Sequence, residues 1–89
     1  MGHPKFTSEE IVRRGQALYY GQIQLVVEPD NQGLFVAIDI ETGHYEIGSE
    51  GLPALRAAQA VHPGAALYLH RIGYEAAYDL GGYSLNEAA

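Results

Sequence analysis

Residues Leu34 to Gly48, LFVAIDIETGHYEIG, constrain the fold more than any other stretch, because they read as a β-hairpin. The first arm is the longest nearly uninterrupted apolar run of the chain, rich in the branched and aromatic types that suit a pleated surface. Thr42-Gly43 supplies the turn, since glycine takes the positive φ of a tight hairpin loop. Placing Ile40 opposite Tyr45 sets Ile38 opposite Ile47 and Asp39 opposite Glu46. A slip by one residue would bring Ile40 against His44 and mix the faces. The favoured pairing gives one apolar face and one that carries acids. It is an architectural signal with no chemistry in it.

The other elements follow from caps and periodicity. Thr7-Ser8-Glu9-Glu10 starts a helix: Thr7 caps, and Glu10 reaches back from the third helical position. Val12, Tyr19, Ile23 and Val26 fall at helical spacing, with Ile11 and Leu18 widening the stripe. The helix is expected from Ser8 to about Leu25, although Gln22 to Val27 also alternates as a strand would. Pro29 to Gly33 is a turn cluster. A second helix runs from Gly51 to His62, with Ser49 as N-cap and Leu52, Leu55, Ala58 and Val61 as its buried side. Ala65 to Tyr74 is a third strand, and Glu75 to Leu80 a single helical turn closed by Gly81-Gly82.

The order αββαβ predicts an α+β two-layer sandwich, in which a three-stranded antiparallel sheet of order 2-1-3 carries two helices on one face. That face bears Val36, Ile38, Ile40, Tyr45 and Ile47. All 89 residues make a single domain, with residues 1–6 and 83–89 expected to be mobile. A chain of this size is stabilised by on the order of 5–9 kcal/mol.

Composition narrows the function classes. The absence of cysteine excludes disulfides and thiolate metal sites and suggests a cytoplasmic setting. No signal-peptide core or membrane-length apolar run is present. Five Lys and Arg against eleven Asp and Glu give a formal net charge of −6, which argues against binding nucleic acid unaided. No membrane partner is expected either.

The second face of the sheet holds the candidate site. Asp39 and Glu46 stand there as cross-strand neighbours, a pairing of like charges that destabilises, and Arg71 on the third strand is placed to compensate. Leu67 and Leu69 fall beside Phe35 and Ala37, so an apolar patch rimmed by Asp39, Glu46 and Arg71 is expected, as at a protein interface. Tyr74, Tyr78 and Tyr83, in a chain with seven tyrosines, mark a second candidate surface at the C-terminal end. The alternative is a small enzyme or ligand-binding protein that uses Asp39, Glu46 and Arg71. His3, His44, His62 and His70 match no metal-ligand spacing, and no metal or other cofactor is expected. His70 alternates with Tyr68 and Ile72 and reads as a hydrogen-bonded histidine beneath a helix. The expected function is a non-catalytic protein-interaction module, homodimeric, acting as an accessory or antitoxin-like partner of another protein.

The strings EEIVRRGQALY, VAIDIETGHYEI and LYLHRIGYEAAYDLGG resemble a group of short uncharacterised bacterial proteins, over roughly Glu9 to Gly82. The hairpin core and the RIGY segment carry the resemblance, and His70 stands where that group would have an aliphatic residue. Such proteins have no established activity and are sometimes encoded beside a retropepsin-like protease. The resemblance implies a cytoplasmic accessory protein and assigns no catalytic residue.

Overall fold

The computed structural model describes residues 3–75. Its elements are α1 (Ser8–Leu18), a π-helical turn (Tyr19–Ile23), α2 (Gln24–Asn31), β1 (Phe35–Asp39), β2 (Tyr45–Gly48), α3 (Gly51–Val61) and β3 (Leu67–Arg71). The helical turn expected over Glu75 to Leu80, the Gly81-Gly82 stop and the mobile end at 83–89 lie outside the described residues, save Glu75 itself.

The cap of α1 forms as its residue types require. The Thr7 hydroxyl accepts from the Glu10 amide at 3.1 Å, and the Glu10 carboxylate accepts from the Thr7 amide at 2.9 Å. That second bond holds the Glu10 carboxyl below its usual range. Ahead of the cap, the 3–6 segment is held rather than loose. His3 Nε2 lies 2.6 Å from the Gly64 carbonyl, Lys5 pairs with Glu41 at 2.8 Å, and the Phe6 ring packs on the core under the Arg14 guanidinium.

The three strands form an antiparallel sheet in the order β2-β1-β3, the α+β arrangement expected from the sequence. The hairpin register differs by two residues: Ile38 faces Tyr45, Val36 faces Ile47 and Ala37 faces Glu46. Asp39 causes the shift. Its Oδ1 accepts the Glu41 amide at 2.9 Å and the Thr42 amide at 3.4 Å, which turns the chain one residue earlier than an Ile40–Tyr45 pair allows. Gly43 completes the turn at φ 82°. A shift of two leaves every side chain on its expected face.

The helices do not share a face. Ile11, Tyr19, Ile23 and Val27 pack with Val36, Ile38, Ile40 and Tyr68. Ala54, Leu55 and Ala58 of α3 pack with Ala37, Leu67 and Leu69 on the opposite side. The fold is thus three layers, helix–sheet–helix, with β1 buried on both faces. α3 turns its small residues inward, so Leu52 and Val61, expected inside, are exposed.

The long N-terminal helix also departs from simple periodicity. Its buried residues run Ile11, Gly15, Tyr19, Ile23 and Val27, always four apart. In a regular α-helix each such step overshoots a full turn by about 40°, and the series would rotate away from the sheet. The π-turn absorbs that drift, since an i→i+5 turn takes up an extra residue. Val26, expected in the core, is therefore 65% exposed while Val27 is buried. The helix then continues through Pro29 to Asn31 instead of stopping at the turn cluster.

Two glycines of this helix make the packing testable. At Gly15 a Cβ would overlap the ring of Tyr68, whereas at Gly21 it would meet nothing within 4 Å. Gly15→Ala is expected to destabilise by about 1–3 kcal/mol through overpacking, against its favourable helix propensity. Gly21→Ala is expected to stabilise by up to about 1 kcal/mol. Urea unfolding of both variants checks the opposite signs.

Candidate functional site

The residues singled out on the second sheet face do share that face, but α3 covers it. Ala37, Leu67 and Leu69 are buried beneath Ala54, Leu55 and Ala58, and Phe35 is half-buried at the edge of the same cluster. The expected open apolar patch is instead a second core, covered by α3. Arg71 pairs with Phe35 and Asp39 with Leu67, so the cation and the acid stand at opposite ends of the strands, about 13 Å apart along β1. Arg71 instead donates from Nε to the Gly33 carbonyl at 3.2 Å. Its guanidinium lies 5.4 Å from the Phe35 ring and 4.5 Å from the Tyr74 ring. Tyr74 is 54% exposed; Tyr78 and Tyr83 lie outside the described residues.

The acids gather at the hairpin end with two histidines. Asp39 is buried, and its Oδ2 stands 3.3 Å from His62 Nδ1. Glu46 pairs with His44 at 2.7 Å, and the two imidazoles meet edge to face at 6.2 Å. Asp39 and Glu46 thus each have a histidine partner and are not opposite one another. Among the described residues no three His, Asp or Glu side chains converge as metal ligands.

His70 is the hydrogen-bonded histidine under a helix that its alternation suggests. It is buried on β3 with its ring 3.9 Å from that of Tyr19 in the π-turn. Nε2 lies 2.9 Å from the Tyr74 carbonyl, which can only accept, so the proton sits on Nε2. Nδ1 then accepts from the Tyr68 hydroxyl at 3.2 Å, and Gln16 bonds that same hydroxyl. The neutral ring is fully satisfied. Burial pushes its pKa down, and burial likewise pushes the Tyr68 hydroxyl up. Burial raises Tyr19 to about 12, aided by Glu28, whose Oε2 accepts from Tyr19 at 3.4 Å and from Gln24 at 2.8 Å.

Above this cluster the outer side of α2 is apolar where solvent is expected. Leu25 is 80% exposed and Val26 65% exposed, and Pro29 stands one turn on. An open depression of about 420 Å³ lies beside them, lined by Gln24, Leu25, Glu28, Pro29 and Gln32. Another, of about 400 Å³, is lined by the 3–8 segment and Glu10. Neither includes Asp39, Glu46 or Arg71. Periodicity alone missed Leu25 and Val26, because it assumed an unbroken α-helix. The available signal was crowding: Ile23, Leu25, Val26 and Val27 are too many apolar residues within five positions for one helix face.

Compared with models of protein families, with curated proteins and with solved structures, the chain matches none. No helix among the described residues is long and apolar enough to cross a membrane.

The His70 arrangement carries a pH dependence of definite sign. The unfolded chain takes a proton near the ordinary value of 6.5, while the folded ring resists it. The contribution is therefore full above about 6.5 and is lost as the pH falls from there to the lowered folded value, by at most about 1.4 kcal/mol per pH unit. His70→Gln keeps a donor and an acceptor but does not titrate. In urea unfolding the stability difference between wild type and variant should shrink with acid over that window. Parallel profiles would show that His70 titrates normally in the fold.

Proposed function

We propose that the chain is a non-catalytic protein-interaction module that docks a partner on the outer face of α2. The observation that carries this is the exposure of Leu25 at 80% and Val26 at 65% on neighbouring positions of one helix. Scattered single apolar side chains need no explanation, but adjacent ones joined to Pro29 and an open depression make a patch of the kind partners cover. Leaving catalysis aside is supported by the dispersal of the polar candidates. Asp39 holds the hairpin turn and faces His62, Glu46 is paired with His44, and Arg71 is tied to Gly33 at the far end of the sheet. The cysteine-free composition supports placing such an accessory protein in the cytoplasm.

The homodimer expected from the sequence loses its surface where α3 covers the sheet, and self-association is assigned here to the same helix. Exposed apolar positions of a docking face, kept without their partner, should promote weak association at high protein concentration. Sedimentation equilibrium of the wild type beside a Leu25→Gln, Val26→Gln double variant tests this. The variant is expected to keep its stability within about 0.5 kcal/mol, as surface changes do, and to lose the concentration-dependent mass. A variant that associates as the wild type does would remove α2 as the docking face.

A further inference from the structure

We infer that the outer face of α2 is built for a cationic amphipathic segment, one that presents apolar residues to Leu25, Val26 and Pro29 and Lys or Arg to Glu28 and Asp30. This rests on the docking face proposed above and names what fits it.

Charge supplies the first argument. No Lys or Arg occurs between Arg14 and Arg56, and within that stretch α2 carries Glu28 and Asp30. The cation that approaches this end of the fold, Arg71, is already bonded to the Gly33 carbonyl and flanked by the Phe35 and Tyr74 rings. A partner that lays acids here would meet repulsion, and a second copy of the same acidic helix is held only weakly, through its apolar positions.

The helix end supplies the second. α2 finishes with Glu28 and Asp30 in its last turns and no basic residue there. A helix C-terminus is the negative pole of the backbone dipoles, so acids at that end are disfavoured and cations favoured. Pro29 has no N–H to offer the Leu25 carbonyl, which removes the regular helical donor to it. The 420 Å³ depression brings these features together: Leu25 and Pro29 provide the apolar wall, while Glu28 and the amides of Gln24 and Gln32 provide the polar one. Apolar wall and carboxylates are complementary to an aliphatic stem that ends in a cation.

The experiment uses the full chain and three synthetic amphipathic helices of about four turns. All have Leu on one face; the other face is all Lys, all Gln or all Glu. Binding is followed by fluorescence anisotropy, with urea unfolding as the control for each variant's fold. The Lys peptide is expected to bind at least tenfold tighter than the Gln peptide, and the Glu peptide weakest. Leu25→Gln with Val26→Gln should weaken the Lys peptide at least tenfold. Glu28→Gln with Asp30→Asn should reduce the Lys-over-Gln preference several-fold and flatten its salt dependence.

Equal binding of the Lys and Glu peptides overturns the inference, as does Lys binding indifferent to Leu25 and Val26, which would be general attraction to an acidic surface. If Leu25 and Val26 control self-association but not peptide binding, the docking face stands and its occupant is a second copy. If they control neither, face and inference fall together.

Discussion

Tyr68 lies against the bare backbone at Gly15, and the placement of the whole N-terminal helix follows from that contact. A glycine inside a helix costs about 1 kcal/mol relative to alanine, a cost offset by burying a large aromatic ring that would otherwise have no room. One step further along, Tyr19 stacks on His70. Four residues of helix advance about 6 Å and two residues of strand about 6.6 Å, so the steps Gly15 to Tyr19 and Tyr68 to His70 match. The helix therefore runs along β3 in the same direction. Beyond Tyr19 a regular helix would rotate off that line, and the π-turn restores it, so that Ile23 and Val27 stay in the core formed with Ile72.

The same device accounts for the outward face of α2. Keeping Ile23 and Val27 inside forces their neighbours Leu25 and Val26 to solvent, and no apolar layer among the described residues receives them. What was readable beforehand was the ends and the edges: the capping box at Thr7 and Glu10, the hairpin, and the strand order that puts the apolar β1 in the middle. The π-turn was not readable, because it arises from the tertiary match of helix to strand spacing and has no local composition of its own. The hairpin register was missed for a related reason. Hydrophobic alternation selects a face but not a position along it, and the position came from Asp39 side-chain bonds to the turn amides.

The misplaced α3 had a visible cause in the sequence. In the segment Phe35-Val36-Ala37-Ile38 both parities are apolar, and Leu67 and Leu69 repeat this on β3. A strand buried on one face alternates; one buried on both reads as a continuous run. Taking that run as a hairpin arm with a single covered face left Phe35, Ala37, Leu67 and Leu69 open, and an interface was the natural inference for them. Ala54 and Ala58, small enough to let α3 approach closely, were the complementary signal. The histidines divide in the same way: alternation on β3 sufficed to bury His70, whereas the meeting of His62 with Asp39 depends on where α3 ends and needed the third dimension.

With both sheet faces closed, α2 carries exposed apolar side chains on an element with little support of its own. α2 is eight residues long, holds a proline, ends in acids at its negative pole and takes no side-chain cap at its N-terminus, although Asn31 donates to the Val27 carbonyl at its other end. A helix of that length is marginal by itself, and what keeps it in place is its inner side, Val27 and the Ile23 that leads into it, together with the Glu28 bonds to Gln24 and Tyr19. If α2 docks a partner as proposed, folding stability and docking are linked at one place. Whatever covers Leu25 and neutralises Glu28 and Asp30 binds the folded helix and not the unfolded one, and so stabilises it in proportion to the logarithm of its concentration over its dissociation constant. Strengthening α2 without a partner, by moving cations to its end or removing Pro29, would work against the surface that the rest of the packing leaves open.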